Sequence, residues 1–114
     1  MKKTGDKYTN NTFENIKHID DYGNEYWYAR ELQKVLEYKD WRNFQKVIDK
    51  AVISAIFLSK EDWVVEVNKP IKTGKGKEEI IKDYKLLRYI CYLIVQNADP
   101  SKEVVDLGQS YFAM

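Results

Sequence analysis

At 114 residues the chain has the length of one compact domain and too little mass to bury two independent cores. Hydrophobic residues make up 44% and charged residues 32%, with three Trp, nine Tyr and four Phe, which excludes a disordered chain. A net charge of +1 excludes binding of nucleic acid through mean charge alone, so any such contact has to come from local clusters.

The longest apolar stretch, Ala51 to Leu58, is broken by Ser54 and is too short to cross a bilayer, and the polar start Met1-Lys2-Lys3-Thr4-Gly5-Asp6 has no character of a targeting segment. A lone Cys91 excludes an internal disulfide and a cysteine-cluster metal site, so the cytoplasm is the expected compartment.

Residues 1–12 are polar and aperiodic and are expected to be a flexible arm, with residues 13–114 forming the folded domain. Phe13, Ile16 and Ile19 recur at a spacing of three before the turn-rich Asp20-Asp21-Tyr22-Gly23-Asn24, which fits either a helical turn or an edge strand. Tyr26-Trp27-Tyr28 is a short extended run. From Ala29, the residues Leu32, Val35 and Leu36 share one helical face. Glu37-Tyr38-Lys39 then leads to Asp40, a good N-cap, and a stronger helix with Trp41, Phe44, Val47, Ile48, Ala51 and Val52 on one side. The two helices fit a helix-turn-helix layout, and a plain helical hairpin is the alternative.

Trp63 to Val67 favours a strand, with Pro70 marking an edge or an end. The run Lys69 to Lys77, with Gly74 and Gly76, reads as a hairpin with a basic tip before an extended pattern resumes at Ile80 to Tyr84. The apolar band from Leu86 to Val95 predicts a central helix over Lys85 to Gln96, which Asn97-Ala98-Asp99-Pro100 halts. Ser101, with Glu103 behind it, is positioned to open a last helix carrying Val104, Val105, Leu107, Tyr111 and Phe112. That helix meets the chain end without a capping signal, so the sequence is expected to be a fragment of a longer protein. The sum is an α+β domain of about four helices with a small antiparallel hairpin or sheet.

Two clusters are candidates for binding nucleic acid. Lys69, Lys72, Lys75 and Lys77 concentrate cations on a glycine-rich turn suited to phosphate oxygens, although Glu78 and Glu79 dilute the field. Arg42, Asn43, Gln45, Lys46 and Lys50 lie on or near the polar side of the second helix, and Arg, Asn and Gln can bond purine edges in pairs. A merely solvated surface is the alternative for both. Tyr26-Trp27-Tyr28, with Tyr22 nearby, offers either a stacking platform for single-stranded bases or core packing. Arg30, at the start of the first helix with Glu31 beside it, fits either a nucleic-acid contact or an intrahelical or structural ion pair. Covalent chemistry has little support, since His18 is alone, Cys91 has no obvious base, and Asp20, Asp21 and Glu37-Tyr38-Lys39 only faintly match a metal-dependent nuclease. No enzyme activity, metal or cofactor is expected.

Phe13-Glu14-Asn15-Ile16-Lys17-His18-Ile19-Asp20, Glu25-Tyr26-Trp27-Tyr28-Ala29-Arg30-Glu31-Leu32 and Trp41-Arg42-Asn43-Phe44 closely resemble the DNA-damage-inducible protein D family. So do Glu66 to Ile71, Lys82 to Leu86, Tyr92 to Asn97 and Gly108-Gln109, in the same order, over residues 13–113. Ala51 to Trp63 departs from the family by being more apolar than the polar loop expected there. The family is similar to a branch of the BRO N-terminal domain superfamily, found in viral and phage proteins such as antirepressors. The resemblance implies an α+β DNA-binding module acting in the bacterial DNA-damage (SOS) response, with DNA of open strandedness as partner. A protein-interaction module that regulates repair or recombination proteins without touching DNA is the alternative, favoured by the near-neutral charge.

Overall fold

A computed structural model describes residues 11–56 and 64–113, the side chains of Asn11, Ile56 and Lys75 excepted. Of the arm expected at 1–12, residues 1–10 lie outside the described residues, as do the strand start at Trp63 and the Lys75 side chain, whereas residues 11 and 12 open a short helix. Among the described residues, five α-helices, α1 (Asn11–Glu14), α2 (Ala29–Val35), α3 (Trp41–Ile56), α4 (Arg88–Asn97) and α5 (Glu103–Phe112), accompany four strands. The strands β1 (Lys17–Ile19), β2 (Glu25–Tyr28), β3 (Val64–Lys72) and β4 (Glu78–Leu86) form one antiparallel sheet in the order β1-β2-β4-β3. This is the α+β architecture expected. The choice left open for residues 13–19 resolves into both forms, a helical turn and then an edge strand.

Strand alternation decides what the sheet covers. Trp27 on β2 stands opposite Leu86 on β4, and Leu86 opposite Val64 on β3, so these three share the face that receives the helices. Trp27 and Leu86 are completely buried, and the Trp27 indole packs edge-on against Tyr111 and Phe112 of α5 while its Nε1 donates to the Phe13 carbonyl at 3.0 Å. The helical spacing read along α3 is realised, since Phe44, Val47, Ile48, Ala51 and Ala55 are buried and Trp41 and Val52 pack beside them. The apolar character from Ala51 onward has the same cause: through Ala55 these residues are a helix flank against the core.

Two boundaries differ from the sequence expectation. The central helix starts at Arg88 because Lys85 and Leu86 complete β4, paired with Tyr28 and Trp27 of β2, which sequence periodicity alone does not register. Ser101 does not cap α5: its own N–H and hydroxyl donate to Asp99 Oδ1 at 3.0 and 2.8 Å, and Lys102 holds the cap position. Asp40 does act at the start of α3, its Oδ1 accepting the Arg42 N–H at 2.9 Å.

The joint between α2 and α3 is longer than the three residues expected, running from Leu36 to Asp40. After Leu36 it turns at Glu37, in the left-handed region at φ 64°, where the Tyr38 N–H reaches the Gln33 carbonyl and the Glu37 N–H the Lys34 carbonyl. The β3–β4 hairpin closes through a single 3-10 turn, Gly74–Gly76, with Gly76 at φ 77° and the Thr73 N–H donating to the Lys77 carbonyl at 2.7 Å.

Candidate nucleic-acid interface

Arg42, Lys46 and Lys50 recur every four residues along α3, a ridge about 12 Å long, and all three side chains are exposed. Asn43 is exposed beside them. None of the three cations has an ion-pair partner among the described residues, so their charge is available to a ligand. Gln45 does not belong with them. It is half-buried, its Nε2 donates to Asp49 Oδ1 at 3.0 Å, and its Oε1 accepts the Tyr84 hydroxyl at 3.3 Å. Its amide fastens α3 to β4 through Tyr84, which holds it away from the exposed ridge.

The hairpin cluster divides in the same way. Lys72 and Lys77 flank the turn, exposed and without ion pairs among the described residues, although Lys72 stands in register opposite Glu78. Lys69 lies well inside β3 and away from the tip. Its ammonium sits 2.8 Å from Oδ2 of the fully buried Asp83 and 3.2 Å from the centroid of the Tyr28 ring. The physical reason is the buried charge: Asp83 Oδ1 accepts the N–H groups of Arg30 at 2.9 Å and Tyr84 at 2.8 Å, which leaves Oδ2 with no aligned hydrogen bond and only the Lys69 charge to compensate it. Lys69 is therefore structural. Asp83 in turn caps α2 from a distant strand, because Tyr28 at the N-cap position supplies no side-chain acceptor.

The two remaining cationic groups lie on different elements, one on α3 and one at the β3–β4 turn. Trp41, at the start of α3, stacks against Tyr84 at 6.2 Å between centroids, and from Tyr84 the strand runs six residues to Glu78, so the tip stands about 20 Å from that anchor.

Arg30 makes no ion pair with Glu31. Its guanidinium lies 3.8 Å from the Trp41 ring centroid with Nε donating to the Lys82 carbonyl at 2.9 Å, and Glu31 instead meets His18, Oε1 to Nε2 at 2.8 Å. Cys91 is buried, and burial pushes its thiol well above the ordinary range, away from a nucleophile. Among the described residues no group of three or more His, Cys, Asp and Glu side chains is gathered for a metal ion, and no helix is long and apolar enough to cross a membrane.

One group that the sequence signals only faintly is the aromatic run. Trp27 goes inward, but Tyr26 and Tyr28 face the other side of the sheet together with His18, their ring centroids 5.4 Å apart and His18 at 5.3 and 4.8 Å from them. The period of two in Glu25-Tyr26-Trp27-Tyr28 contained this split. What it could not supply was the neighbouring Lys85, whose ammonium is 5.0 Å from the Tyr26 centroid.

With this geometry in hand, comparison with known proteins gives a consistent answer. The family described as "BRO family, N-terminal domain" matches residues 15–105. The chain is 40% identical over 104 residues to the DNA damage-inducible protein D of Escherichia coli (strain K12), a match covering 90% of this chain and 38% of that protein. No solved structure matches. The chain thus spans well under half of the relative it aligns with, and the matched family region holds α2, α3, the hairpin and α4 with every cation described above. The chain belongs to the BRO family as an N-terminal domain of that family.

Proposed function

We propose that this domain binds DNA without covalent chemistry and acts in the cellular response to DNA damage. The observation that carries the reading is the ridge of Arg42, Lys46 and Lys50, three exposed cations with no carboxylate partner among the described residues, on a helix whose opposite side is locked into the core. Unpaired cations on a rigid helix suit phosphate oxygens, and Asn43 on the same surface can add a contact to a base edge. Lys72, Lys75 and Lys77 form a second contact region on the hairpin. The part in damage response rests on the name of the Escherichia coli relative, and action in the bacterial SOS response and the cytoplasm belongs to the same proposal.

The test is fluorescence anisotropy of labelled DNA titrated at low and near-physiological salt. Charge reversal of Arg42, Lys46 and Lys50 weakens binding and flattens the salt slope by about one for each phosphate that is no longer neutralised. The same is expected of Lys72, Lys75 and Lys77. A set whose reversal changes neither quantity is removed from the interface.

A second reading has its own support. The net charge is +1, so the chain as a whole has no strong attraction for nucleic acid. In that case a repair or recombination protein is captured from nuclease-treated extract and DNA affinity is negligible even at low salt.

A further inference from the structure

The sheet face turned away from Trp27 and Leu86 carries a hollow. Its volume is about 220 Å³, and Asp20, Asn24, Tyr26, Val65, Lys85 and Leu87 line it. Val65 is 47% exposed at its rim, so the hollow opens to solvent. Tyr26 is held on its far side by His18, stacked at 5.3 Å and 20°, and by the edge-on Tyr28, which fixes the ring. Lys85 has no ion-pair partner among the described residues, unlike Lys69 at Asp83 and Lys17 at Glu14 and Glu25. Asp20 is already oriented: Oδ1 accepts the Tyr22 and Asn24 N–H groups at 2.9 and 2.8 Å, and Oδ2 has only the Asn24 side-chain amide at 3.3 Å.

We propose that this hollow takes one unstacked base of single-stranded DNA. The proposal rests on the DNA-binding reading and adds a site and a strandedness to it. A fixed tyrosine ring provides the stacking surface that any base can use, and Val65 and Leu87 supply apolar edges. The free lone pair of Asp20 Oδ2 accepts a hydrogen bond from an N–H on the base edge, the exocyclic amino group of adenine, cytosine or guanine or the N3–H of thymine, and a purine adds the larger stacking surface. That carboxylate keeps a phosphate out of the hollow, while the Lys85 ammonium, which lies 5.0 Å from the Tyr26 centroid, swings off the ring as the base enters and meets the phosphate next to it, so charge is complementary at both ends of the nucleotide. A base inside a duplex has both faces stacked and its amino edge paired, and does not enter.

The experiment compares the whole chain and its variants for binding of dA and dT single strands and of a duplex. A single strand carrying 2-aminopurine reports insertion by a fluorescence change. The expected result is tighter binding of dA than of dT, and a loss of about tenfold or more in single-strand affinity for Tyr26→Ala with duplex affinity unchanged. Tyr26→Phe keeps the ring and stays within about twofold of the parent. Val65→Glu, at an exposed rim position that leaves the core untouched, gives a loss similar to that of Tyr26→Ala. The proposal is overturned if Tyr26→Ala and Val65→Glu bind single strands as the parent does while charge reversal on α3 still weakens binding, an outcome that leaves the DNA-binding reading standing. A parent chain that binds neither form of DNA removes both.

Discussion

Asp83 joins a helix end, a strand and a cation through one side chain. Its carboxylate is fully buried, caps α2 through the Arg30 N–H, and neutralises Lys69 beneath the Tyr28 ring. Asp83→Ala strands a helix N–H and a cation together, and a loss of about 3–5 kcal/mol in urea unfolding is expected. Lys69→Met combined with Asp83→Asn removes the uncompensated charges and should lose less than the two single changes summed, a coupling that a double-mutant cycle measures. Residue roles of this kind were poorly legible in the sequence. Lys69 sits among three other lysines, and nothing in a linear reading says that the carboxylate fourteen positions later faces it across a hairpin. Gln45 misled for the same reason, since the hydroxyl that claims its amide comes from Tyr84 in another element.

At the scale of elements the sequence was far more informative. Apolar spacing located α3, the flanking glycines located the hairpin turn, and Asp40 marked a helix start, because each of these is decided by residues within one turn of one another. The start of α4 was misplaced by pairing between strands distant in sequence. Two elements make sharp predictions. Glu37 ends α2 at φ 64°, a conformation that favours glycine, so Glu37→Gly raises stability by about 1 kcal/mol in the same unfolding assay. Gly108 on α5 is the opposite case: a Cβ there stands 3.0 Å from Phe13 Cζ and from Val95 Cγ1, both in fully buried side chains. Gly108→Val overpacks that contact and costs about 2 kcal/mol or more despite the better backbone entropy.

For the whole molecule, a web of charges ties α1, α4 and α5 to the sheet and sets the pH range of stability. Arg88 of α4 meets Glu25 of β2 at 3.0 Å and the Tyr111 carbonyl at 3.1 Å, and the Tyr111 hydroxyl donates to Glu14 of α1. The hydrogen bond from Tyr111, followed by Lys17, holds Glu14 below its ordinary 4.5, and Arg88 does the same for Glu25. These carboxylates stabilise the fold above the unfolded value of 4.5, and that contribution is lost as pH falls through their lower folded values. Tyr111 runs the other way. Burial first, then Glu14, raises its phenol from 10.0 to about 12, so its contribution is complete below pH 10 and disappears as pH climbs toward 12. Thermal unfolding followed across pH should show a plateau between these limits, and Tyr111→Phe should remove the alkaline decline specific to this residue while leaving the arginine in place.

The rim of the sheet has one more consequence. β3 is an outer strand nine residues long, with Val65 and Ile71 exposed, the kind of border on which neighbouring molecules build shared sheets. Pro70 has no N–H to offer a newcomer, and Lys72 brings like charge to any copy that docks alongside. Both residues disfavour the pairing of a second copy along β3. Pro70→Val together with Lys72→Val restores an unbroken template, and light scattering over time should then report aggregation that the parent protein resists.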